Sequence, residues 1–241
     1  MTRTGTTGTP PSYDMSDSTL NFIETVRYQV PDSASQSSNL PLPPGWNQYV
    51  HPNGDVYYRN SQLRLTTPDN IRRPKILQNV LDAREDHLEL LSDDPNYQRL
   101  PDDLEMTIYD VNDATAIIGL YSRRARQAYE WNERAGRIVV RPKQHFWSHV
   151  AEYPSHHRHL PPGAEEEFVT AVHQAQIRLR NGEAFPFTEQ QLDQIKALYE
   201  RHKARDNIPA LGWLIGVVMP LESVVSRLNG ELEAMMEDLH V

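Results

Sequence analysis

Leu42-Pro43-Pro44-Gly45-Trp46, running on through Tyr49-Val50, His51-Pro52-Asn53-Gly54-Asp55 and Val56-Tyr57-Tyr58-Arg59-Asn60, decides the reading of the N-terminal half. An extended proline lead-in reaches a single Trp. Asn53-Gly54 then sits between two short apolar-aromatic runs. Both residues tolerate positive φ, so the pair is a strong hairpin signal. Leu63-Arg64-Leu65-Thr66-Thr67 follows as a third strand. The expectation is a three-stranded antiparallel meander whose faces are too small for a large core. It is closed by an aromatic clasp: Trp46 against Tyr58 and a residue from the C-terminal flank.

On these residues the stretch 42–71 resembles a WW domain: the Leu-Pro-x-Gly-Trp lead-in, the paired aromatics, the following Asn and the Thr-rich third strand. The resemblance implies that Trp46 and Tyr58 form the buried clasp and that Asn60 ties the second strand to the loops. It implies that Tyr57 is one wall of a groove for a ligand proline, and that Ser61, Arg64 and Thr66 lie where specificity contacts are made. Two positions depart from the pattern. Pro68 stands in place of the second Trp, the other groove wall, and Ile71 stands where the family has a clasp proline. A pyrrolidine ring offers no flat π-face for stacking. The implied function is protein–protein interaction, an adaptor or scaffold that recognises proline-rich protein segments weakly or with part of its groove lost.

Composition narrows the alternatives. The 241 residues carry a net charge of -9, which argues against an electrostatic nucleic-acid binder. There is no Cys, hence no thiolate nucleophile and no Cys-based zinc site. The Thr/Gly/Pro/Ser-rich start shows no apolar signal-peptide core, and an intracellular protein, cytoplasmic or nuclear, is expected. Eighteen Pro against eleven Gly suit helix starts and extended segments better than a glycine-rich nucleotide fold.

The overall fold class expected is α+β, with an α-helical C-terminal half. Residues 1–39 read as a disordered tail, with Leu20–Val26 a short docking segment within it. Residues 40–72 are the WW-like domain, and 73–99 hold a linking helix over 74–92, with Pro74 in its first turn. Residues 100–141 read as a degenerate repeat of the first module or as a plain β-hairpin, Glu105–Tyr109 with Ile117–Tyr121. In the repeat reading Leu120-Tyr121 matches Tyr57-Tyr58, Arg123 replaces Asn60, and Trp131 falls where Pro68 does. Leu120 and Trp131 would then line a second groove. Residues 142–241 form the helical domain. Its helices are Gln144–Tyr153, Pro161–Leu179 behind the acidic turn Glu165-Glu166-Glu167, one opened by the Thr188–Gln191 capping box, and Ala210–Leu239 kinked at Pro220. Phe146–Val150, Phe185-Pro186-Phe187 and the terminal helices resemble the helical region of a group of fungal WW-domain proteins, a resemblance that implies no activity.

No catalytic constellation is framed, and the chain is expected not to be an enzyme and to need no cofactor. His145 and His149 are spaced to reach one metal from a helix, but the pattern is not His-Glu-x-x-His, and no metal site is expected. The alternative is a helical enzyme or metal-binding domain targeted by the WW-like module. Arg123-Arg124-Ala125-Arg126 reads as a solvated sheet edge. Ile208–Leu221 is the most apolar run and reads as a core helix. It falls short of the ~20 apolar residues of a membrane span, so membrane association through it is the minority reading.

Overall fold

The computed structural model describes residues 40–183 and 185–220. The fold is α+β, with a seven-stranded, mostly antiparallel sheet followed by helices. The chain forms two compact units, the described part of the first ending at Pro142 and that of the second starting at Lys143. The expected tail over 1–39 and the chain beyond Pro220 lie outside the described residues.

The first unit contains β1 (Trp46–Val50), β2 (Val56–Asn60), β3 (Leu65–Thr67), α1 (Pro74–Ser92), a 3₁₀ turn (Tyr97–Arg99), β4 (Glu105–Tyr109), β5 (Ile117–Ser122), β6 (Gln127–Asn132) and β7 (Arg137–Val140). The strands lie side by side in chain order. Neighbours pair antiparallel except β3 and β4, which run parallel with Leu65 opposite Met106. A parallel pair needs a crossover, and α1 supplies it. The two modules expected on either side of a linking helix are therefore one sheet. The physical reason lies in the apolar face that the strands share.

Alternation along the strands sorts the side chains onto two faces. Trp46, Tyr58, Leu65, Met106, Ile108 and Leu120 lie on one face and are buried together with Ile71 and with Val80, Ala83 and Leu91 of α1. The small meander thus does not depend on its clasp alone, because α1 covers its apolar face and that of β4–β6 in a single core.

Three hairpin turns repeat one design. Asn60 pairs with Leu65, Ser122 with Gln127 and Asn132 with Arg137. In each, the first residue's side-chain oxygen accepts a backbone N–H of the turn: Asn60 Oδ1 from Gln62 and Leu63, Ser122 Oγ from Ala125, Asn132 Oδ1 from Ala135. In each, the last turn residue is left-handed: Arg64 at φ 49°, Arg126 at 51°, Gly136 at 56°. Short polar side chains suit this position because they replace a backbone acceptor locally.

The second unit contains α2 (Lys143–Glu152), α3 (Ala164–Arg180), α4 (Glu189–Ala204) and α5 (208–220). The capping box opens α4 as expected: Gln191 N–H donates to Thr188 Oγ1 at 3.2 Å, and Thr188 N–H donates to Gln191 Oε1 at 2.8 Å. The acidic triplet Glu165–Glu167 occupies the first turn of α3. Residues 210–219 of α5 are buried without interruption, the pattern of a helix enclosed on all sides. Gly216 explains how it is enclosed. A Cβ there would lie 2.4 Å from Ala151 N and 2.6 Å from Trp147 O, so α5 meets α2 backbone to backbone. Among the described residues no helix is long and apolar enough to cross a membrane.

Candidate functional site

The face of the sheet opposite the core carries two of the residues expected to meet a ligand, Tyr57 and Thr66. Tyr49 of β1 stands opposite Tyr57 of β2, and their rings stack at 5.6 Å with planes 20° apart. Tyr57 is 2% exposed, whereas Tyr49, on the outer strand, is half-buried. Next along the face, Arg59 pairs with Glu105 at 2.7 Å and donates to Thr66 Oγ1 at 3.3 Å. Arg123 completes the charged group. Burial pushes its guanidinium down to about 10, and Glu105 works against that fall. A carboxylate at ion-pair distance from a guanidinium ties neighbouring strands together through a charge-assisted hydrogen bond.

The sequence-expected residues divide between the two faces. Tyr57 and Thr66 lie on the polar face, and both are buried. Ser61, Arg64 and Pro68 are exposed. Trp46 and Tyr58 belong to the core, and Ile71 joins them from the C-terminal flank. Asn60 is also buried, its side chain locking the turn after β2. Leu120 is a core residue, and Trp131 packs half-buried on the same core.

The second-groove expectation does not survive this register. Counting back from the equivalent turn residues Asn60 and Ser122, Tyr58 matches Leu120, Tyr57 matches Gly119 and Pro68 matches Glu130. The expected match was one residue off, and one residue along a strand exchanges the faces. Leu120 and Trp131 therefore point to the core and cannot line a groove on the polar face. Arg123 is likewise no solvated edge, because β6 and β7 follow its hairpin and place β5 inside the sheet. The edge strand on this side is β7, and there the Asp94 carboxylate accepts the Ile138 N–H. That contact, with the Asn96 N–H, holds the Asp94 carboxyl below its usual range.

Residues that the sequence reading passed over are Tyr49, Arg59 and Glu105. The signal for Glu105 is present in Glu105-Met106-Thr107-Ile108-Tyr109, where polar and apolar residues alternate strictly. In the second unit, His149 is 2% exposed with its ring 5.4 Å from that of Tyr153, and His145 is half-buried. Lys203 donates to Tyr199 Oη at 2.9 Å and lies 3.2 Å from Glu165, contacts that raise its ammonium to about 12. Comparison of the chain with family models, with curated proteins and with solved structures finds no match in any of the three.

Proposed function

We propose that the protein is an interaction component, an adaptor or scaffold, whose β1–β3 meander is a WW-like element that receives proline-rich segments of partner proteins. The observation that carries this reading is the stacked pair Tyr49–Tyr57 on the face opposite Trp46 and Tyr58. Tyr49 presents the receiving ring, and the buried Tyr57 backs it from the inner side. A polyproline II segment lies across the Tyr49 edge and loses little entropy, because it is already extended. Exposed Ser61, Arg64 and Pro68 flank it. Pro68 contributes no flat ring, so this contact is weak by itself and gains from a second one.

Titration of the full chain with a Pro-Pro-x-Tyr peptide, followed by NMR shifts of β1–β3 amides, tests the reading. Weak saturable binding is expected, lost in Tyr49→Ala and strengthened by about 1 kcal/mol in Pro68→Trp. Binding unchanged in Tyr49→Ala, or no shift in β1–β3, sinks it.

A further inference from the structure

A cleft of about 360 Å³ opens in the first unit between the second half of α1, the β2–β3 turn and the segment leading into β4. That size lies within the range of small-molecule sites, roughly 300–1,000 Å³. Its floor is apolar: Leu91, Met106 and Leu120 are buried core residues, and Leu88 and Leu104 pack against them. Four charged residues also line it: Arg64, Arg84, Asp102 and Glu105.

The charges do not cancel within the cleft. The Asp102 carboxylate pairs with Arg124, and Glu105 pairs with Arg59 at 2.7 Å. Neither of those arginines belongs to the lining. Arg64 donates to the Asp102 carbonyl, a neutral acceptor that leaves its charge uncompensated. Arg84 makes no ion pair or hydrogen bond among the described residues. Its neighbours one turn away on α1 are Val80, Leu81, His87 and Leu88, with no carboxylate among them. The lining therefore holds two surplus guanidinium groups above an apolar floor.

We propose that this cleft binds a small amphipathic carboxylate, its aliphatic body on the leucine floor and its anionic end held by Arg84 and Arg64. A guanidinium fork matches a carboxylate with two parallel hydrogen bonds, and Arg84 gives up no existing partner to make them. The cleft shares Arg64 with the peptide-binding reading, but its floor lies on the core side of the sheet, on the face opposite Tyr49 and Tyr57.

Calorimetric titration of the full chain with decanoate, decanol and acetate separates the contributions of body and charge. Decanoate should bind saturably at one site, with decanol and acetate each about tenfold weaker or more. Arg84→Met should weaken decanoate about tenfold, Arg84→Lys, which keeps the charge and loses the fork, should weaken it by less than Arg84→Met, and Leu104→Trp, which fills the cleft and leaves both arginines, should abolish binding. Circular dichroism establishes that each variant is folded, and the three-ligand comparison on the unaltered chain decides the matter if one is not. Absence of saturable decanoate binding, decanol binding as tightly as decanoate, or a folded Arg84→Met variant with unchanged affinity would each overturn the proposal.

Discussion

The two meanders of the first unit, β1–β3 and β4–β6, share a turn and a core face yet dress their polar faces differently. Asn60 and Ser122 play the same part in the turn, Arg64 and Arg126 the same left-handed part, and Tyr58 and Leu120 the same part in the core. On the polar face the first meander stacks Tyr57 on a neighbouring strand's Tyr49. The second has Gly119 at the equivalent place, and its own Tyr121 lies across it. A Cβ on Gly119 would come 2.4 Å from Tyr121 Oη. What is common to both meanders makes the sheet. What differs sets the chemistry of the face: the first meander stacks rings across two strands, and the second folds Tyr121 over its own Gly119.

The comparison breaks most visibly if the meanders are energetically separate. Tyr58→Ala and Leu120→Ala each remove a core side chain and should destabilise by about 3–5 kcal/mol. Because β3 pairs with β4 and α1 covers both halves, either variant should lower amide-exchange protection in β1–β3 and β4–β6 alike. Loss confined to the mutated half would show two modules that merely touch.

The shared helix supplies a second test. His87 falls on the inward stripe of α1 with Val80, Ala83 and Leu91. Burial holds its imidazolium down at about 4, against an ordinary value of 6.5. Between those values the unfolded chain binds a proton that the folded chain refuses, so stability falls as pH drops from 6.5 to 4. The loss from this group reaches about 3 kcal/mol below pH 4. His87→Gln should flatten that slope in denaturant titrations at pH 7 and pH 4.5. A variant with the same slope as the parent would exclude His87 as its source.

Local signals were legible in the sequence, and long-range ones were not. Pro74 and the Thr188–Gln191 box mark helix starts through contacts within a few residues, and α1 and α4 begin where those signals put them. The hairpin of β4 with β5 follows the same logic. The parallel β3–β4 pairing joins residues far apart in the chain, and no local pattern encodes it. The turns that follow β2 and β5 are built alike through Asn60 and Ser122, one residue away from the match drawn on the sequence. The doublets Tyr57-Tyr58 and Leu120-Tyr121 look alike to an eye for apolar residues, whereas the pleat distinguishes odd from even. The turn acceptors Asn60 and Ser122 would have set the match correctly. On the polar face, Arg123 reads as solvated from its cluster of arginines. Only the later strands reveal that it is enclosed.

The finest test concerns the left-handed turn position itself. Gly136 at φ 56° faces open space, so Gly136→Ala meets no neighbour and should lose only the conformational preference, about 1 kcal/mol. Arg64→Gly runs the exchange in reverse in the first meander and should gain a similar amount. Arg64 also donates to the Asp102 carbonyl, a bond that glycine cannot make. The net gain should therefore be smaller than the loss in Gly136→Ala, a difference that urea titrations of the two variants can resolve. A full gain of about 1 kcal/mol would mean the Asp102 contact contributes nothing to stability. A net loss would mean that the arginine anchors the turn to the lead-in of β4 more strongly than its backbone opposes it. In that case the two meanders are coupled through this side chain as well as through β3 and β4.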